Sequence, residues 1–386
     1  MWKLIRFSWV LLLFGCSGET TKYVSPQDER CSNLAREAEY IILDQKGEVH
    51  LKEASLEETL DLAKNPEISM VEPNYRTLHS DLITLDTLPS YERNDWNSIG
   101  VKSLWDRGIL GQGVTVAVID GGVDTTAPFL ASQIWVNVSE IPGGGLDGID
   151  NDNNALVDDF KGWNFFNQSR EQNNETDHGT QIAQIIAGNE SSPVGRGIAP
   201  LAKILPIDFM NEEGGDEYHA LLSIEYAISQ GARIINNSWL APCSVILKTQ
   251  YPKWQAQGVL LVHAAGNDAV NLDHSPEASS NFSGPSFLSV GSTDSHSMRA
   301  EFSNFGSNVI LYAPGTELWA TQQNSRFSAY SSVNIAGTSY SAAIVSGAAA
   351  LILSDHPTWT SGMVRRYLLS VAQEGSGSRL PNLRLK

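Results

Sequence analysis

Short runs rich in β-branched residues recur along most of this chain, at residues 113–119, 203–207, 233–235, 259–263, 287–290 and 309–312. The first, Gly113-Val114-Thr115-Val116-Ala117-Val118-Ile119, lacks the polar alternation of a half-exposed strand. It suits a strand buried on both faces of a parallel sheet. Between several of these runs lie stretches with helical character, notably 180–187, 217–230, 248–257 and 339–353. Strands alternating with helices predict an α/β domain, a mainly parallel sheet with helices on both faces. In such sheets the chemistry collects at the carboxyl ends of strands.

Composition narrows what that domain does. With 44 acidic against 26 basic side chains in 386 residues, the formal charge is −18. A surplus of that sign opposes binding to a phosphate backbone, so no nucleic-acid partner is expected. Hydrophobic residues make up 41% and charged ones 18%, enough apolar content for a packed core and too little charge for a disordered chain. With 3 cysteines, the chain has neither a disulfide scaffold nor a zinc knuckle.

The amino terminus has its own organisation. Lys3 and Arg6 precede an apolar run at 7–14, which is too short to span a bilayer and reads as a signal peptide over residues 1–15. Its end, Leu13-Phe14-Gly15-Cys16, resembles a bacterial lipoprotein cleavage box, in which Cys16 becomes the lipidated first residue. Residues 16–37 read as a polar linker. A small α+β unit follows over 38–78: Tyr40-Ile41-Ile42-Leu43 as a strand, Leu56, Thr59, Leu60 and Ala63 with helical spacing, and 68–71 as a second strand. Pro73 is expected to close that strand, because it cannot donate to a ladder. An acidic spacer covers 79–95, and the main domain takes 96–386.

Asp120 ends the first buried run and is followed by Gly121-Gly122, where the chain can turn away. Alone it reads as a turn or cap residue. His178, in Asp177-His178-Gly179-Thr180, opens a helical stretch, and alone reads as a capping group. Ser339, in Gly337-Thr338-Ser339, sits where a glycine turn enters a long small-residue helix, and alone reads as an N-cap. Together, Asp, His and Ser in that order are one of the known chain orders of a serine-protease triad.

The chain resembles the subtilisin-like serine proteases, or subtilases, over residues 96–369. The resemblance rests on linked blocks: Val116-Ala117-Val118-Ile119-Asp120-Gly121-Gly122, Asp177-His178-Gly179-Thr180, Ile235-Asn236-Asn237-Ser238-Trp239, His263-Ala264-Ala265-Gly266-Asn267, Phe302-Ser303-Asn304-Phe305-Gly306, Ala313-Pro314-Gly315 and Gly337-Thr338-Ser339. It implies an exported endopeptidase acting on protein or peptide substrates, with Ser339 as nucleophile, His178 as general base, Asp120 orienting it and Asn267 in the oxyanion hole. The cleft walls would be Ser238, Trp239 and Leu240 on one side and Ala264, Ala265 and Gly266 on the other. Departures from the family pattern are Gln181 and Gln184 on the histidine helix, Tyr340 and Ala343 after the nucleophile, and Leu240 where glycine is usual, which narrows a subsite.

The resemblance also gives the small unit a role. Val71-Glu72-Pro73-Asn74-Tyr75-Arg76 is similar to the end of a subtilase propeptide, an intramolecular inhibitor removed by self-cleavage within 79–95. The lipid would then leave with the removed piece unless the cut failed, the complex persisted or Cys31 and Cys243 were joined, a pairing for which the sequence gives no distance. The insertion at 146–159 spaces Asp150, Asp152, Asn154, Leu156, Asp158 and Asp159 like the first part of an EF-hand loop, without its glycine and final glutamate. It suits structural Ca²⁺; no organic cofactor is expected. The protein is expected to be a monomer, anchored in the bacterial envelope as a lipoprotein or released after processing. The competing reading is a catalytically impaired subtilase-like lipoprotein that acts by binding.

Overall fold

The computed structural model describes residues 23–26, 29–79, 83–84, 94, 96–141, 146–173, 176–241, 243–274, 279–324, 329–374 and 381–385. The signal peptide, Cys16 and nearly all of the proposed cleavage spacer lie outside the described residues.

The predicted buried runs become the strands of one sheet. Its order is Gln373–Glu374, Pro381–Asn382, Val309–Pro314, Phe287–Thr293, Leu260–Ala264, Ile234–Asn237, Thr115–Asp120, Lys203–Asp208 and Trp163–Asn164. Every pairing is parallel except the first, between the two short strands at the carboxyl terminus. The missing polar alternation has its reason here. Val116 and Val118 point into a core that contains helices His178–Ala187 and Thr338–Asp355. Ala117 and Ile119 point into the opposite core, with helices Glu217–Ser229 and Val245–Ala256. Both faces are covered, so both must be apolar.

The strand order reverses direction at Thr115–Asp120: the chain continues to Lys203–Asp208 on one side and later to Ile234–Asn237 on the other. A crevice opens where neighbouring connections leave the sheet in opposite directions, and ligands bind there. Asp120 ends one of these strands and Ser238 follows the other.

The amino-terminal unit differs from the sequence reading. Strand Ala35–Asp44 pairs antiparallel with Val49–Glu53, which the sequence reading missed, and with Ile68–His79. Pro73 does not close the last strand. It sits opposite Tyr40 beside a register irregularity, where a missing N–H is tolerated, and the strand runs on to His79. The stretch read as linker contains helix Glu29–Leu34, fixed by a disulfide between Cys31 and Cys243 with Cα atoms 5.6 Å apart and packed against Tyr75.

This unit is seated on the main domain. Ile41 and Leu43 join the core that contains helices Glu217–Ser229 and Val245–Ala256. Burying side chains of that size stabilises the contact by about 1.5–3 kcal/mol each. Glu72 accepts from the N–H groups of Val245 and Ile246 at 3.1 and 2.8 Å, satisfying amides that a helix start leaves open. Ser244 accepts from Leu247 N at 2.9 Å and donates to Glu217. Glu72 and Glu217, both fully buried, are themselves hydrogen-bonded, which requires a proton between them. Burial is the chief cause that pushes both carboxyls up, Glu217 to about 7 and Glu72 well above its usual range.

Candidate active site

His178 is the first residue of its helix, and its Nδ1 lies 2.8 and 3.0 Å from the two carboxylate oxygens of Asp120. Both side chains are buried. Asp120 is held in turn by the N–H of Gly121 at 2.8 Å. The close approach depends on glycine: a Cβ on Gly179 would overlap the carbonyl oxygen of Gly122 and press on Asp120.

Ser339 is the second residue of helix Thr338–Asp355, which packs against the His178 helix. Its Oγ donates to the carbonyl of Ser238 at 3.3 Å, and Ser238 Oγ donates back to the Ser339 carbonyl at 3.2 Å. Asn267 is oriented by Thr338, whose N–H and hydroxyl both donate to Asn267 Oδ1 at 2.9 Å. With the oxygen engaged, the amide nitrogen is the group turned toward Gly337, 3.3 Å from where a Cβ would stand on that glycine. A backbone N–H at a helix start and a side-chain amide donor thus lie beside a serine. That is the donor set a developing oxyanion needs.

Two backbone segments flank these groups. On one side Ser238 leads into the short strand Trp239–Leu240. On the other, Ala264 and Ala265 are fully buried and Gly266 turns the chain with φ +106°. Asn304 braces this second wall, donating to the carbonyls of Ala265 at 3.0 Å through Nδ2 and Gly266 at 2.9 Å through its backbone N–H.

Comparison with known proteins gives the family. The family model described as "Subtilase family" matches residues 111–383. Subtilisin from Bacillus pumilus is 33% identical over 278 residues, covering 72% of this chain and 90% of that protein. The chain belongs to the subtilase family. Subtilisin NAT from Bacillus subtilis subsp. natto is also 33% identical over 278 residues, but these cover only 65% of its length and 72% of this chain. The chain therefore spans just under two thirds of the first relatives it matches. Among solved structures, fervidolysin from Fervidobacterium pennivorans, described as a keratinolytic enzyme related to subtilisin, aligns with a TM-score of 0.72 at 18% identity, covering 94% of this chain and 62% of that one. Proteases from Pseudoalteromonas arctica align with a TM-score of 0.57 at 25% identity, covering 74% of this chain and 91% of that one.

Two of this subtilase's departures from the family pattern meet each other. Tyr340 Oη donates to Gln181 Oε1 at 2.7 Å, joining the residue after Ser339 to the residue one turn beyond His178. The Tyr340 ring also lies 5.8 Å from the His178 ring. Gln181 Nε2 reaches the Thr321 carbonyl at 3.3 Å, and Gln184 Oε1 accepts from Thr321 N at 2.9 Å. Burial is the main reason the Tyr340 phenol is pushed far up, so it remains a donor. Ala343 is fully buried in the apolar core.

The acidic insertion is arranged differently from the EF-hand reading. Asp150 turns back to accept from the N–H groups of Asn154 and Ala155, and Asp158 pairs with Arg170 at 2.8 Å. Leu156 donates its N–H to Asn154 Oδ1 at 2.8 Å, while its side chain packs on the core. The oxygens that converge belong to Asp152, Asp159 and Glu140, each within 4.8 Å of the others. Glu140, buried and outside the motif, was missed because no local spacing links it to the loop. Among the described residues, the side-chain donors on this trio are neutral: Asn137, Asn154 and Tyr226. Burial, chiefly, and the nearby Asp152 push the Asp159 carboxyl up. Crowded hard oxygens without a cationic partner fit a cation such as Ca²⁺.

Proposed function

We propose that this subtilase is an exported serine endopeptidase, made as a self-processing precursor, that hydrolyses protein peptide bonds through an acyl-enzyme. The observation that carries the reading is His178 Nδ1 bonded to both oxygens of Asp120, on a helix packed beside the one that begins at Thr338-Ser339. Asp120 holds the proton on Nδ1, which makes Nε2 the basic nitrogen. Ser339 Oγ attacks the substrate carbonyl, and its proton passes to His178. The oxyanion accepts from the Ser339 N–H and from Asn267 Nδ2. The C–N bond breaks as His178 gives the proton to the leaving amine, and water repeats the sequence to release the acid. The bond between Tyr340 and Gln181 favours this reading over a non-hydrolytic one, since the unusual residues satisfy each other beneath the triad.

The amino-terminal unit acts as a propeptide. Its last strand pairs Arg76 and Thr77 with Asp216 and Gly215, then Leu78 and His79 with Leu240 and Trp239. An extended substrate adds to a cleft edge in that way. The Cys31–Cys243 disulfide alters what a cut at 79–95 would do, because both fragments stay joined. A lipid on Cys16 would then keep the cut enzyme at the membrane until reduction. Non-reducing and reducing gels of processed protein test this; separate fragments under both conditions would exclude the tether.

Glu140, Asp152 and Asp159 would hold Ca²⁺, which would neutralise the acidic insertion and stabilise it without entering bond cleavage. The activity is tested by incubating an unfolded protein substrate with wild type and with Ser339→Ala. Fragments are expected from wild type alone, and equal cleavage by both would overturn the proposal.

A further inference from the structure

Leu240 stands in the cleft where a bare backbone would leave room. Its Cδ1 lies 3.1 Å from the position a Cβ would take on Gly266, in the opposite wall. Asn304 Nδ2 crowds that same position, so the Leu240 side chain reaches across to the wall that Gly266 and Asn304 form. An aromatic ring or a leucine would have to displace Leu240.

The location decides what this closes. Ser339 Oγ bonds to the carbonyl of Ser238, two residues before Leu240, and Asn267 directly follows Gly266. A carbonyl within reach of both Ser339 and Asn267 lies at the mouth of the gap between the walls. The side chain on that same residue has this gap as its pocket. Both walls are anchored: Trp239 is fully buried, and Asn304 ties down Ala265 and Gly266.

We infer that Leu240 fills the pocket for the residue whose carbonyl is attacked, so that this enzyme cuts after glycine, alanine or serine and discriminates against large apolar residues. The inference rests on the endopeptidase reading and names its substrate class.

The test uses full-length protein and fluorogenic peptides that differ only in the residue before the scissile bond, alanine or phenylalanine. Wild type is expected to prefer alanine. Leu240→Gly is expected to shift the kcat/KM ratio toward phenylalanine by about tenfold or more, the scale on which apolar pockets discriminate. Leu240→Ala should give a smaller shift, and it serves if thermal melting finds the glycine variant unfolded. A wild-type preference for phenylalanine, or an unchanged ratio in a folded variant, overturns the inference. A protein that never cuts itself but prefers alanine would refute self-processing and leave the role of Leu240 intact.

Discussion

The cleft floor and the seam beneath the amino-terminal unit are both built from buried polar groups, yet they were assembled by different rules. In the cleft, Asp120 ends a strand, while His178 and Ser339 begin helices. Parallel-sheet topology brings such termini together, so each residue carries a local signature. In the seam, Glu72 meets Val245 and Ile246, and Cys31 meets Cys243 across 212 positions. Nothing beside those residues announces the partner. A cleft repeats the logic of its fold, whereas a seam between units depends on side chains whose partners only folding reveals.

The comparison can be tested from its strongest consequence downward. In the cleft, Asn267→Ala removes a donor and should lower turnover about a hundred- to a thousandfold with little change in melting temperature. The size is that of such a donor in subtilisin itself and is borrowed from it. In the seam, two raised carboxyls make docking depend on pH. Glu217 in the docked state is raised to about 7 from the ordinary 4.5, so the docked form binds its proton more tightly. The Glu217 contribution is fully present below 4.5, weakens as pH rises and is lost above about 7, and Glu72, also raised well above its usual range, weakens docking in the same direction. Binding of the cut, reduced amino-terminal fragment should therefore weaken about tenfold or more between those pH values, by the linkage between proton affinity and docking. Glu217→Gln, which can donate without a shared proton, should flatten the dependence; an unchanged slope would remove the carboxyl pair from the account.

Smaller effects sharpen the same contrast. Tyr340→Phe keeps the ring but loses the bond to Gln181, and should lower kcat about two- to tenfold with KM unchanged, the worth of one hydrogen bond. A loss in KM alone would make Tyr340 a cleft-shaping residue instead. Chelation should lower the melting temperature by about a few degrees through loss of a bound ion. Asp152→Asn should reproduce that shift and Asp150→Asn should not; equal effects would favour the EF-hand spacing over the Glu140 trio.

What was legible in the sequence follows from the same division. The buried runs gave the sheet because a strand covered on both faces cannot hide its composition. Asn267 is legible as a candidate donor through the block His263-Ala264-Ala265-Gly266-Asn267 that carries the family resemblance. Glu140 is not legible as a candidate, because a residue supplied from a separate turn has no spacing that links it to the loop. Pro73 misled for a physical reason: its missing N–H argues against a regular ladder, but the pairing there is irregular. Helix Glu29–Leu34 lies in a stretch without apolar periodicity and is held by the disulfide to Cys243. Pro252 lies inside helix Val245–Ala256, at a position the helical character of 248–257 already spans, and this helix is anchored at its start by Ser244 and Glu72.

The central claim is that Ser339 is a nucleophile activated by His178 and Asp120. Labelling of the purified protein with a fluorophosphonate, followed by mass mapping of the modified peptide, tests it most directly. The account predicts a single adduct on Ser339 in wild type, none in Ser339→Ala, and much slower labelling in His178→Ala. A wild-type protein that stays unlabelled while folded, or an adduct on another serine, would contradict it.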